Sequence, residues 1–137
     1  MNVEVNYLAV LLAGLISMPV GFIWYMPKVF GNTWMKGARL KEKDLEGGPL
    51  PYVLSLIASF VTAYVLAHVT YLSHNFFNNS WLEDSLMTAF WVWLGIAFTR
   101  MSVHMLYERK RPVDFAIAHG YEFVTFMLMG LIIGLFN

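Results

Sequence analysis

Apolar residues in this chain neither alternate nor form narrow helical stripes. They come in four long blocks separated by short polar ones. The blocks run from Tyr7 to Tyr25, Tyr52 to Leu72, Leu86 to Tyr107 and Phe115 to Phe136. Each is close to the ~20 residues a helix needs to cross hydrocarbon. Four spans cannot close a barrel, and lipid offers no partner to open backbone groups, so the spans are predicted to be helices. The expected fold is all-α, a four-transmembrane-helix bundle built as a single domain over residues 1–137. Loops are expected over residues 26–51, 73–85 and 108–114.

The boundaries carry their own signals. Ser80-Trp81-Leu82-Glu83 is a capping-box pattern, and Asp84 adds negative charge at the same helix N-terminus. Arg109-Lys110-Arg111-Pro112 ends the third span, Asp114 opens the fourth, and Gly47-Gly48-Pro49 interrupts the first loop. Pro19 lies inside the first span, where its missing N–H predicts a kink that frees the Leu15 carbonyl. Small residues recur every four positions at Ala9, Ala13, Ser17 and Gly21, and again at Ser55, Ser59, Ala63 and Ala67. Gly130 and Gly134 repeat the spacing in the fourth span. Such rows allow close backbone approach, either within one chain or between copies. Four helices enclose little interior, so a homo-oligomer is expected.

Composition agrees with the pattern. The hydrophobic fraction is 58% and the charged fraction 13%, against roughly 45–50% and 25% in soluble domains. Nine basic and nine acidic residues cancel, so no overall field draws the chain to nucleic acid. The absence of cysteine excludes disulfides and thiolate metal sites. The N-terminus lacks the basic segment of a cleaved signal, so the first apolar block is expected to be retained as a span.

Charge placement adds a direction. Every Lys and Arg except Arg100 lies in one of two loops: Lys28, Lys36, Arg39, Lys41 and Lys43 in the first, Arg109, Lys110 and Arg111 in the last. The positive-inside rule puts both loops in the cytoplasm and both termini outside. Trp24, Tyr25 and Trp34 then gather at the inner membrane interface and Trp81 at the outer one, as aromatic anchors. Phe30, Trp34 and Ala38 can share one face of a short helix lying in the headgroups.

Chemistry is confined to the last two spans. Arg100 and His104 are four residues apart on one face of the third helix, and His119 and Glu122 three apart on the fourth. Counted from the turn between these helices, Arg100 and Glu122 both lie roughly 10 Å in, at 1.5 Å per residue. A bare charge in lipid costs about 2.5–3.5 kcal/mol on insertion scales, so an Arg100–Glu122 pair facing the bundle is the expected arrangement. It reads equally as an ion, proton or ligand site and as a structural ion pair. His104, His119 and Glu122 form a weak metal set, which the neighbouring Arg100 would oppose, so no metal or cofactor is expected. His68 is at the wrong depth to join. No nucleophile elbow, phosphate loop or Ser-His-Asp spacing occurs, so no catalytic residue is expected.

The stretch Trp24-Tyr25-Met26-Pro27-Lys28-Val29-Phe30-Gly31-Asn32-Thr33-Trp34 resembles the W-Y-x-P-x-x-F-G-x-x-W signature of small bacterial membrane proteins grouped as domain-of-unknown-function family 1761. Trp93-Leu94-Gly95-Ile96-Ala97-Phe98 is similar to that family's third-span motif, with Ile96 where Phe is expected. Tyr107 to Pro112, Gly120-Tyr121 and Met129-Gly130 are similar to its later pattern. The resemblance covers nearly the whole chain. It implies a four-helix protein of the bacterial inner membrane and no function. Two functions are therefore expected from the residues: a small oligomeric transporter or channel-like protein with a site at Arg100 and Glu122, or a non-catalytic interaction or scaffold protein whose ion pair is structural. An intramembrane enzyme has only the histidines in its favour.

Overall fold

A computed structural model describes residues 3–45 and 48–137, apart from the Glu42 side chain. Gly47 of the anticipated loop break lies outside the described residues. Helix is the only regular structure among those described. The first span consists of α1 (Tyr7–Leu15) and α2 (Ser17–Trp24). A π-helical turn at Pro27–Gly31 leads into α3 (Asn32–Ala38), and a 3-10 turn at Glu42–Leu45 follows. The long α4 (Leu50–Phe77) forms the second span. The third comprises α5 (Trp81–Val92), a π-helical segment at Trp93–Phe98 and α6 (Thr99–Tyr107). The fourth is α7 (Pro112–Leu135).

Four stretches are long and apolar enough to cross a membrane: Tyr7–Trp24, Leu50–Phe77, Trp81–Tyr107 and Pro112–Leu135. The third has the lowest mean hydropathy, 1.4, and contains Arg100. Helices α4 and α5 run beyond the apolar blocks, since helix geometry continues through polar residues that lipid would not accept. The capping box sets the start of α5: the Ser80 hydroxyl accepts from the Glu83 N–H at 3.2 Å. Asn6 caps α1 by accepting from the Leu8 and Ala9 amides. Its amide also donates to the Phe136 carbonyl at 2.6 Å, which ties both ends of the chain to the same end of the bundle.

Pro19 interrupts the first span at Ile16, as expected from its missing donor. The carbonyl taken up by other donors is that of Gly14, one residue before the expected Leu15. It accepts from the Ser59 hydroxyl at 2.7 Å and the Ser17 hydroxyl at 3.2 Å. Gly14 has no side chain to hold α4 away, so the bend opens its carbonyl towards Ser59.

Helix α7 is the hub and packs on α5, α1, α2, α3 and α4. The core joins Val10 and Ala13 to Ala63, Leu66, Ala67 and Ala89, closed by Phe126, Met129 and Ile133. The small-residue rows are used inside the chain. Ala9, Ala13 and Ser17 are buried, as are Ser59, Ala63 and Ala67, whereas Ser55 is exposed and lies outside the seam. A Cβ on Gly130 would come within 2.8 Å of the Ala89 Cβ, and one on Gly134 would collide with the Ser85 hydroxyl. The GxxxG row is therefore filled by α5.

Candidate functional site: the third and fourth spans and the basic end

The two halves of the third span present different faces to the bundle. In α5 the core face runs through Asp84, Ser85, Thr88 and Ala89. Continued as an α-helix, that face would pass through Val92, Ile96, Arg100 and Val103. The π-helical segment at Trp93–Phe98 places one more residue in the turn, which rotates everything after it by about 100°. The Thr99 hydroxyl, donating to the Gly95 carbonyl at 2.8 Å, sits at the end of this segment, where an inserted donor disturbs the helix ladder. Beyond it the partly covered residues are Ala97, Phe98, Met101, Ser102 and Met105, while Ile96, Arg100, Val103 and His104 are exposed. Helix α6 has no buried residue.

The Arg100–Glu122 pair expected from sequence is therefore not formed among the described residues. Arg100 and His104 share one face of α6, as their spacing requires, but that face is the exposed one. Glu122 is half-buried on α7, next in sequence to Tyr121. Residue counting says nothing of direction around the axis, because no sequence rule reveals the π-helical segment.

His119 is buried and faces the third span. Its Nε2 shares a hydrogen bond with the Ser102 hydroxyl at 3.2 Å. Phe98 and Phe115 pack on its ring at centroid distances of 4.4 and 4.0 Å. Its Nδ1 has no hydrogen-bond partner among the described residues. No group of three or more side chains that could hold a metal ion occurs among the described residues, so His104, His119 and Glu122 do not form one. His68 bonds to its own helix, with Nδ1 2.8 Å from the Tyr64 carbonyl.

The aromatic residues after the first span join that span to α7. The Trp24 indole donates to the Ile117 carbonyl at 3.0 Å and packs on Phe30 at 4.8 Å. Tyr25 lies between Trp34 at 5.2 Å and Tyr121 at 5.5 Å. The Tyr121 hydroxyl donates to the Ser17 carbonyl at 3.4 Å. These contacts add to the anchoring expected of Trp24, Tyr25 and Trp34 a second role, as a lock between the first loop and the fourth span.

That lock continues into charge. Arg111 donates to both oxygens of Asp114, from Nε at 2.7 Å and Nη2 at 2.6 Å, and Nη2 also reaches the Thr33 carbonyl at 3.0 Å. The hydrogen bond to Asp114 raises the Arg111 pKa further, so the guanidinium stays charged. Gly37 lies directly against the Asp114 carboxylate, where any side chain would collide. Helix α3 is thus docked on the start of α7. Beside it lies a concavity of about 430 Å³ lined by Lys36, Arg39, Arg109, Lys110 and Arg111, with Glu108 and Asp114 as its acids. Sequence alone had marked both basic loops but could not bring them together.

The opposite end holds a second polar cluster that sequence reading missed. Asp84 is only 2% exposed. It accepts from the Asn79 amide at 3.1 Å and lies 3.1 Å from His74 Nδ1. His74 stacks on Trp81 at a centroid distance of 3.9 Å. The one available signal was an acid beside a capping box with a histidine ten residues earlier. A shallow concavity of about 440 Å³ next to this cluster is lined by Asn6, Tyr71, Trp81 and Asn137, among others.

A family model described as "Protein of unknown function (DUF1761)" matches residues 8–134. Neither the curated proteins nor the solved structures contain a match to this chain.

Proposed function

The chain belongs to the DUF1761 family, and because that family brings no activity with it, we propose from the geometry that this is a non-catalytic membrane interaction protein that works as an assembly of copies. One observation carries the reading: α6 buries nothing of its own and turns Arg100 and His104 away from the bundle. A guanidinium about 10 Å from the end of a span costs several kcal/mol unless something covers it. Glu122 is the complementary charge. It has no cation partner within the described residues and lies at the same depth by residue count. A second copy supplies what each chain lacks, Glu122 of one meeting Arg100 of the other. The polar face of the third span is then an interface.

Transport receives less support. The two concavities described above lie at opposite ends of the bundle, and neither is lined by Arg100, His104, His119 or Glu122. The basic loops favour a cytoplasmic location for the α3 end, and the resemblance to small bacterial proteins favours the inner membrane. The test is a charge exchange read by sedimentation in detergent and by mass in lipid nanodiscs. Arg100→Glu and Glu122→Arg should each dissociate the assembly, and the double exchange should restore it. A parent protein that is monomeric at every concentration in lipid would exclude the reading.

A further inference from the structure

We propose that the concavity between α3 and the α6–α7 turn is a binding site for the phosphate of an anionic phospholipid headgroup. The inference is independent of the assembly proposed above. Two separate segments build the site. Lys36 and Arg39 come from the end of α3, and Arg109, Lys110 and Arg111 from the turn before α7. Its two acids are already engaged: Asp114 by Arg111, and Glu108 by Lys110 at 3.5 Å. Lys36, Arg39 and Arg109 have no carboxylate partner among the described residues, so the concavity keeps an excess of positive charge. The α7 N-terminus opens at the same place, but Asp114 already meets its dipole.

The backbone supplies a second observation. Arg39 and Arg109 both adopt left-handed conformations, with φ of 56° and 54°. Each follows the end of a helix, where that conformation normally selects glycine or asparagine. The other non-glycine residue in this region among those described is Asn78, which is an ordinary choice. Glycine would relax both basic positions, yet the chain places arginine at each, and both line one concavity. Arginine offers the planar fork that chelates phosphate oxygens in pairs.

The surroundings choose a lipid over a soluble phosphate ester. Leu106 and Tyr107, immediately before the basic turn, are 71% and 88% exposed, and Val113 immediately after it is also exposed. An apolar rim beside a cationic hollow matches a molecule with a charged head and hydrocarbon tails. Docked α3, fixed by Arg111 on Thr33 and by Gly37 on Asp114, holds the two basic segments at one spacing.

The experiment is native mass spectrometry of the assembled protein after exchange into micelles containing equal phosphatidylglycerol and phosphatidylcholine. The parent should retain phosphatidylglycerol in preference to phosphatidylcholine. Arg39→Gly with Arg109→Gly keeps the backbone conformation and should weaken that retention roughly thirty-fold, as expected for two basic residues at a membrane surface. Lys36→Gln, at an exposed helical position, should give a smaller loss and provides a second reading should the double variant fold poorly. Equal retention of both lipids, or unchanged retention in the variants, would overturn the proposal. So would displacement of the lipid by inorganic phosphate at submillimolar concentration, which would identify a soluble ligand instead. Mass reports assembly in the same spectrum, so loss of lipid and loss of the Arg100–Glu122 interface are read separately.

Discussion

Helices α5 and α6 are two halves of one membrane span, and they are built on opposite principles. In α5 a face of Asp84, Ser85, Thr88 and Ala89 is buried, with Ser85 and Ala89 against α7, whose Gly130 and Gly134 have no side chains to keep it away. In α6 nothing is buried, and its hydrogen bond to α7 is the one between Ser102 and His119. What separates them is six residues of π-helix. The rotation introduced at Trp93–Phe98 carries Ile96, Arg100 and Val103 off the core face that α5 defines. Close packing holds one half by contact within the chain. The other half is free to be held by something else. A span whose intramolecular and external faces change over along its length is what the proposed assembly requires.

The largest effect is expected at the tightly packed end. Gly134→Leu forces a branched side chain into Ser85 and the Leu82 backbone. Overpacking of this kind is expected to cost about 3 kcal/mol, read as unfolding in mixed detergent or as a steric-trap equilibrium. Replacing Asp84 by Ala removes the acceptor of Asn79 and the partner of His74. The expected loss is about 2 kcal/mol by the same measurement, with the ends of α4 and α5 nearest Asp84 losing hydrogen-exchange protection first. Trp24→Phe keeps the aromatic contact with Phe30 but removes the hydrogen bond to the Ile117 carbonyl. A loss of about 1 kcal/mol is expected there. The loose end should be nearly indifferent. A Cβ on Gly95 would meet nothing within 4 Å, so Gly95→Ala is expected to change stability by less than about 0.5 kcal/mol. A large effect at Gly95 together with a small one at Gly134 would reverse the contrast between the two halves.

How much of this could be read from the chain divides along the same line. The four spans, the all-helical class, the Ser80 cap and the break at Pro19 follow from local rules that act within a few residues. The close approach of Gly130 was legible as a spacing, though whether it served this chain or a second copy was not. The unformed Arg100–Glu122 pair shows where local rules stop. Residue counting placed the two charges at one depth, but facing requires the helix to keep its period between Ala89 and Arg100. A π-helical segment breaks that period without any proline to announce it. The Arg111–Asp114–Thr33 contact and the pairing of His74 with Asp84 were hidden for another reason. Each joins segments whose approach is set by packing elsewhere, and neither leaves a periodic trace in the sequence. The aromatic signature from Trp24 to Trp34 was visible as a motif, yet its partners Ile117 and Tyr121 lie about ninety residues away.

The claim that most needs testing is that the outward face of α6 is covered in the working protein. The chain contains no cysteine, so single reporters can be placed by Val103→Cys on α6 and Trp91→Cys on α5, both at exposed positions. Spin labels at these sites in lipid nanodiscs report collision with oxygen dissolved in the bilayer. The expected result is a label at 103 that is shielded relative to the one at 91, and that becomes lipid-accessible when Glu122→Arg is added. Equal, high accessibility at both sites in the parent would contradict it and leave Arg100 facing lipid alone.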